Sequence, residues 1–376
     1  RNYQPYAELT NTSTLTLANW QPSDSFRMYV RKDVVSQIWE YGAAPVTLEP
    51  SVDPYEENTL TLEAEEILYG NGDYKLNSPR DIATAPDGTI YVADANNHRI
   101  LHLDQAGNLL HAWGEFGASN YNTNEMAPGG AFNEPWGIAV GPDGSVYVAD
   151  TWNNRIQKFT AEGEFLTMWG QFGAAETRYH FWGPRGVAVD TQGRVYVTDT
   201  GNKRVVIFDS DGNDLASFGG AGLGVGQFDE PVGIDVDDQG RVYVADTWNT
   251  RIQVMIPAGD TLTYPTNITW DIDAWYGDSL DNKPFLTVDK DYNTYVADPL
   301  MGRVLVFDQQ GNFIQAWGAF GSGPAEIGIV SGLAIDPQGR VWVSDARNNR
   351  LMAFNLSQLP VDDQPGDQTP LEDPGE

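Results

Sequence analysis

Six aspartate–arginine pairs return along this chain at one spacing: Asp94/Arg99, Asp150/Arg155, Asp199/Arg204, Asp246/Arg251, Asp298/Arg303 and Asp345/Arg350. An Asn stands between the partners in five copies (Asn97, Asn153, Asn202, Asn249, Asn348), and Met301 takes its place in the remaining one. As chemistry, six such acids would ring a reaction centre. As structure, each Asp would accept backbone N–H groups in its own loop while the Arg pairs with it. A catalytic group breaks the symmetry of a repeat instead of obeying it, so the structural role is expected. A second set of acids, Asp190, Asp237, Asp289 and Asp336, ends a short apolar run in four copies. Carboxylates converging there would suit calcium, which takes about six to eight oxygen ligands. The strings DSDGND (209–214) and DKDYN (289–293) resemble parts of calcium loops. Neither continues to the bidentate Glu of a complete loop, and Asp, Asn and Gly are also what hairpin turns need. Turn chemistry is therefore expected of these acids, with calcium as the alternative and no other cofactor.

The chain has no Cys and four His (His98, His102, His111, His180). Thiolate catalysis, disulfides and Cys-based metal sites are excluded. No Ser/His/Asp order and no G-x-S-x-G elbow marks a hydrolase. Among 376 residues, 53 acids against 22 bases give a net charge of −31. Such a protein is repelled by phosphate backbones and anionic lipid, so nucleic acid is not an expected partner. No apolar run approaches the roughly 18 residues of a membrane span. A hydrophobic content of 41% with 12% aromatics is enough for a substantial core.

The elements that must position these residues are themselves repeated. VADANNHRI (92–100) returns as VADTWNNRI (148–156), VTDTGNKRV (197–205), VADTWNTRI (244–252), VADPLMGRV (296–304) and VSDARNNRL (343–351). Each copy has a lead-in such as NEPWGIA, a tight turn such as PDG, an alternating strand such as VYVAD and a further strand such as RIQKF. Most end on an aromatic–Gly strand: HAWG (111–114), TMWG (167–170), ASFG (216–219), AWYG (274–277) and QAWG (315–318). Four short strands per unit, joined by Gly, Asp and Asn turns, describe an antiparallel sheet. Six sheets that cannot bury both faces alone stack radially, so the expected fold is an all-β, six-bladed β-propeller of four-stranded blades. The sixth unit lacks its aromatic–Gly strand, and LEAEEILYG (62–70) has that shape. An N-terminal strand is thus expected to close the ring and remove its open edges. The outer aromatics Trp113, Trp169, Phe218, Trp275 and Trp317 keep step with the repeat and are expected to be packing.

The unit Phe-x-x-Pro-x-Gly-(apolar)-(apolar), then Val-x-Asp, then Asn-x-Arg-(apolar), resembles the NHL repeat. Residues 62–356 resemble a six-bladed NHL propeller of the bacterial extracytoplasmic type. That resemblance implies the fold, while similar propellers serve as RNA- or protein-binding platforms, as sensor domains of bacterial receptor kinases and as a peptide-amidating lyase. The lyase holds zinc with His on inner strands. Here His98 falls in a loop, His102 and His111 on outer strands and His180 between units, so the residues that resemblance needs are missing. A lactonase-type calcium hydrolase would need two acids and an Asn inside the channel, and nothing in the sequence marks them.

Where the units differ, a binding face is expected. The position after Pro carries Arg80, Trp136, Arg185, Val232 and Phe285, with Ser331 at the same place in the last unit. The loop after Val-x-Asp contributes Trp152, Trp248 and Arg347. Long connections at 115–132 and 171–184 add to that face, the latter with Tyr179 and Trp182. Exposed aromatics with Arg suit a protein, peptide or glycan ligand, the alternative being rings packed between blades.

Residues 1–61 form an extension or cap outside the repeat, in which TLTLAN (14–19) and FRMYV (26–30) look like strands. RKDVVSQIWEYG (31–42) reads as a helix or strand, and its RKD cluster is similar to the segment after the membrane part in bacterial envelope glycosyltransferases with C-terminal NHL repeats. Residues 357–376 make a Pro-rich acidic tail, expected to be solvated. The start at Arg1, without Met or a signal pattern, suits a processed piece of a longer precursor, a membrane-anchored one included. Acidity, absence of Cys and N-x-S/T triplets at Asn11, Asn267 and Asn355 are compatible with the cell envelope. The expectation is a non-catalytic extracytoplasmic binding or assembly module. The alternatives are a self-assembling structural subunit and a metal-dependent propeller enzyme.

Overall fold

The computed structural model describes residues 53–123, 125–259, 261–275 and 283–356, with a separate antiparallel pair formed by Gln37–Ile38 and Val46–Thr47. The strands expected at 14–19 and 26–30, most of 31–42 and the tail at 357–376 lie outside the described residues. From Asp53 onward the described chain builds six sheets of four or more strands in sequence order, with two short parallel pairs, Glu115–Phe116 with Ala131–Phe132 and Gln171–Phe172 with His180–Phe181, between blades. Blade one consists of Pro79–Thr84, Ile90–Asp94, Arg99–Leu103 and Leu109–Trp113, and each strand pairs antiparallel with the next. Blades two to five repeat this order from Pro135, Val187, Pro231 and Leu286. Among the described residues the only helical turns are short 3-10 turns, and no helix is long and apolar enough to cross a membrane.

The second strand of blades one to five, such as Val146–Asp150, is buried at every residue, and that of blade six at every residue but Arg340. Both of its faces meet a neighbouring blade, which is why Val, Ile, Tyr and Ala fill it without polar alternation. Six apolar clusters occupy the six interfaces between neighbours. The aromatics of the fourth strands complete them: Trp113 lies 5.7 Å from Phe159, Trp169 5.6 Å from Phe208 and Trp317 5.9 Å from Phe354, ring centre to ring centre in the next blade.

Blade six closes the ring as expected. Its strands Val330–Ile335, Arg340–Asp345 and Arg350–Asn355 receive Glu66–Leu68 as the fourth, with Leu351 opposite Leu68 and Ala353 opposite Glu66. Two details differ from the sequence reading. The propeller unit begins at Asp53 and not at residue 62. Thr59–Leu60 adds a fifth, parallel strand to blade five, Tyr55 is buried in its core, and Asp53 forms a two-pronged ion pair with Arg303 at 2.6 and 2.9 Å. In blade four the last strand is Thr266–Asp271, and AWYG lies beyond it. A longer hairpin after Ile256 delays that strand, so Trp270 sits opposite Ile252 where Trp113 sits opposite Ile100. Trp275 instead enters the core beside blade five and donates to the Ala297 carbonyl at 2.9 Å.

Candidate functional site at the channel mouth

Pairing of Pro79 with Asp94 brings the start of an inner strand and the loop after Val-x-Asp to the same end of the blade. Loops from all six blades therefore share one face, and the Asp–Arg pairs hold them there. The six ion pairs measure 2.7–2.9 Å, with each Asp carboxylate fully buried. Asp150 accepts from Asn133 N–H, Asn153, Arg155 and Gln157. Arg155 carries its remaining donors to the carbonyls of Ala127, Pro128 and Ala131 in the connection between blades. Five of the pairs are thus latches that fasten a connecting loop to the top of a blade, while Arg303 reaches Asp53 and Thr59 instead. They are structure, as their symmetry suggested.

The turn acids lie at the opposite end. Asp190 takes four hydrogen bonds, from Gln192 N–H, Arg194 N–H, the Arg194 guanidinium and the Tyr196 hydroxyl. Asp237, Asp289 and Asp336 repeat the arrangement with their own turns. A carboxylate offers about four lone-pair sites, and each of these acids directs them to groups of its own turn and strand. Asp190 and Asp237 do line a common cavity of about 250 Å³ with Arg194 and Tyr264. Among the described residues no three His, Asp or Glu side chains stand together as metal ligands. His98 follows a 3-10 turn, His102 and His111 pair across the third and fourth strands of blade one, and His180 lies between blades. A zinc set on inner strands does not fit these positions.

The residues after Pro depart from the expected exposed face. Arg80, Trp136, Arg185 and Phe285 are buried, and so are Val232 and Ser331. Trp136, Val232 and Phe285 come from blades two, four and five, yet form one apolar cluster. Contact between blades that are not neighbours requires side chains that meet across the axis. They plug the channel just inside its mouth. Arg80 and Arg185 place their guanidiniums 4.4 and 4.9 Å from the Trp136 ring. Burial pushes the Arg185 guanidinium below its ordinary value, with Glu230 pulling the other way and Arg80 adding repulsion.

Above the plug stand exposed indoles. Trp152 and Trp248 are 43% and 40% exposed, and they occupy the same repeat position in blades two and four. Blade three has Gly201 there. A Cβ on Gly201 would come within 2.6 Å of the Trp182 ring, because Trp182 (55% exposed) folds over it from the preceding connection. Three consecutive blades thus each present one indole. Phe172 joins Trp182 to Tyr121, at 6.0 and 5.4 Å. Arg347 is exposed on blade six over Phe320, at 5.0 Å. Tyr179 packs instead beside Phe208 at the outer edge. Gly201→Ala is expected to push Trp182 off blade three, lowering stability by about 1–3 kcal/mol. Acrylamide quenching should rise for that indole, and unchanged quenching would contradict the contact.

Four segments, 76–103, 132–159, 181–208 and 228–255, match the NHL repeat, and residues 286–364 match a family described as a 6-bladed beta-propeller. The chain is an NHL-repeat six-bladed β-propeller. Over 129 residues this NHL propeller is 33% identical to the peptidylglycine alpha-amidating monooxygenase of Rattus norvegicus, covering 31% of this chain and 12% of that protein. Over 105 residues it is 30% identical to Protein SUPPRESSOR OF QUENCHING 1, chloroplastic, of Arabidopsis thaliana, covering 28% and 10%. The propeller therefore spans about a tenth of the length of these relatives. Among solved structures it superposes on a streptogramin B lyase with a TM-score of 0.50 at 15% identity, covering 77% of this chain and 97% of that one. Selenomethionine-substituted virginiamycin B lyase from Staphylococcus aureus gives 0.50 at 12% identity, over 77% and 99%. At such identity the likeness speaks for the fold alone.

Several groups of this NHL propeller's mouth escaped the sequence reading. Glu230 and Lys283 precede Pro231 and Pro284, and Glu134 precedes Pro135 and accepts from the Trp152 ring N–H at 3.0 Å. Asp81 stands where blades two, three, four and six have Gly137, Gly186, Gly233 and Gly332. It is buried and accepts from Ile138 N–H at 3.0 Å in the next blade. Burial pushes its carboxyl up to about 8. Asp235 replaces an Ala of other blades and bridges to Val288 N–H and the Thr287 hydroxyl. The signal was available at Asp81 and Asp235, which stand where most other blades carry Gly and Ala.

Proposed function

We propose that this propeller is a non-catalytic, extracytoplasmic binding module whose loop-bearing face captures a protein or peptide ligand over the channel mouth. The observation that carries the reading is the row of exposed indoles, Trp152, Trp182 and Trp248, on three consecutive blades. Exposed indoles held on a rigid scaffold are the usual anchors of binding energy, and they are rare on surfaces with no partner. Two of them depart from the repeat in the same way, at a position that blades one, five and six fill with Asn96, Leu300 and Arg347. The Asp–Arg latches support the reading by fixing the loops that carry them, so little order is lost on binding. A net charge of −31 and the lack of Cys are compatible with work outside the cytoplasm. The amidating relative matches over 31% of this chain, and the His positions of this propeller offer no inner-strand metal set.

Replacing Trp152 and Trp248 together by Ala is expected to weaken ligand capture by tenfold or more while changing stability by less than about 1 kcal/mol, since both rings are half exposed. Peptide and glycan arrays probed with wild-type and doubly substituted protein read this directly. Binding that survives the double substitution in a folded protein overturns the proposal. Spots confined to glycans would move the ligand class to sugars.

A further inference from the structure

Two connections between blades carry exposed rings that touch one another. Tyr121 comes from the connection at 115–132, and Phe172 and Trp182 come from that at 171–184. They are 39%, 46% and 55% exposed, so each keeps part of its ring in solvent. Ring centres lie 5.4 Å apart between Tyr121 and Phe172, tilted at 43°, and 6.0 Å apart between Phe172 and Trp182, edge to face at 75°. Rings set at angles in a row leave narrow slots between them instead of a deep pocket. The row is held from below. The Tyr121 hydroxyl donates to the Trp152 carbonyl at 3.2 Å and accepts from Asn154 at 2.9 Å. Trp182 lies over Gly201, its backbone N–H donates to Asp199 and its carbonyl accepts from Gly201 N–H, both at 2.8 Å. Among the described residues the hydrogen bonds of Trp182 run through its backbone, which leaves the ring N–H to meet a ligand's carbonyl. The surroundings are acidic. Glu134 is fastened to the Trp152 ring N–H at 3.0 Å, Glu125 closes the turn that carries Tyr121 through Asn120, and Glu176 belongs to the connection of Phe172 and Trp182. Arg178 is the one Lys or Arg in the two connections, and it is paired with Asp214 at 2.8 Å.

Slots between aromatic rings take flat, stiff groups. A polyproline II segment supplies them at low entropic cost, because it is ordered before binding, has no internal hydrogen bonds and points its carbonyls outward. We infer that the row of Tyr121, Phe172 and Trp182 takes a proline-rich peptide that carries Arg or Lys next to its prolines. The inference rests on the platform reading above and names its ligand. Proline rings pack into the slots on either side of Phe172, and the Trp182 ring N–H donates to a carbonyl of the peptide. The adjoining cation meets the acids of the same loops, Glu125, Glu134 and Glu176, where no unpaired Lys or Arg of the two connections competes. The protein's net charge of −31 draws a basic peptide in and turns an acidic one away.

The test uses the full chain and three peptides capped at both ends: six prolines followed by two arginines, six alanines followed by two arginines, and six prolines followed by two glutamates. Each is titrated into the protein by calorimetry at low, fixed ionic strength. The proline–arginine peptide should saturate at roughly 10–100 μM, with each of the other two at least about tenfold weaker. Phe172→Ala and Trp182→Ala should each weaken that peptide by about tenfold or more, whereas Phe320→Ala, which removes an exposed ring from another connection, should not. Equal binding of the proline and alanine peptides, equal binding of the arginine and glutamate peptides, no saturation, or wild-type binding by both ring variants each overturn the inference. If Trp182→Ala fails to fold, Phe172→Ala and the peptide comparison on wild-type protein still decide. Binding of glycans alone, lost in the same ring variants, also overturns it and moves the ligand to sugars. Array binding that depends on Trp152 and Trp248, with no response to the proline–arginine peptide, would sink this row and leave the platform standing. Peptide binding that needs Phe172, with array binding indifferent to Trp152 and Trp248, would do the reverse.

Discussion

Replacing Asp150 by Ala is expected to destabilise the propeller by about 3–5 kcal/mol, read as a lower urea midpoint at unchanged slope. The carboxylate accepts four hydrogen bonds, and its partner Arg155 has no exposed side-chain surface. Removing the acid leaves a buried guanidinium with its charge uncompensated. The connection 115–132 should also lose hydrogen-exchange protection, because Arg155 fastens it through Ala127, Pro128 and Ala131. Asp94→Ala should cost less, since a quarter of the Arg99 side chain meets solvent and can recover hydration. Equal losses at the two sites would show that burial does not set the strength of the latch. Replacing both members of the second pair, Asp150→Leu with Arg155→Met, should restore part of the loss.

Asp81→Asn is expected to stabilise the protein in alkaline solution and to leave it unchanged in acid. The folded carboxyl is held up at about 8 by burial against an ordinary value of 3.8, with Asp235 adding repulsion. The folded state therefore keeps a proton that the unfolded chain gives up, and stability falls as pH rises through this window. The slope from this one group is at most about 1.4 kcal/mol per pH unit. An amide at this position still accepts from Ile138 N–H and carries no charge to bury. Melting curves of the two proteins should meet near pH 4 and diverge up to pH 9. General repulsion among the surface acids is common to both and cancels in the comparison. Parallel curves would mean that Asp81 is ionised in the folded protein.

The six blades, the position of the Asp–Arg latches and the lending of residues 66–68 to blade six were legible because they depend on local pairing. A strand that reads Val-Tyr-Val-Ala-Asp and a turn closed by Gly specify their neighbours within a few tens of residues, and six repetitions reinforce the reading. The missing fourth strand had one candidate of matching shape. Spacing was a poorer guide where a hairpin lengthened, which is how AWYG was taken for the last strand of blade four when Thr266–Asp271 holds that place.

Which side chains reach the loop-bearing face was decided only in three dimensions. Arg80, Trp136, Arg185 and Phe285 share a sequence position with the character of a loop-facing residue, yet all four are buried. Six inner strands converge on one axis, and side chains near their starts meet those of blades two or three places away. That closure distance belongs to the ring and to no single repeat. The same convergence sets Arg185 and Lys283 on either side of Glu230, from residues far apart in the chain. By itself the sequence determined the blades, the latches and the surplus of aromatics on one face. The tertiary structure decided which aromatics plug the channel and which stay exposed, because only a closed ring brings its inner strands within contact of one another.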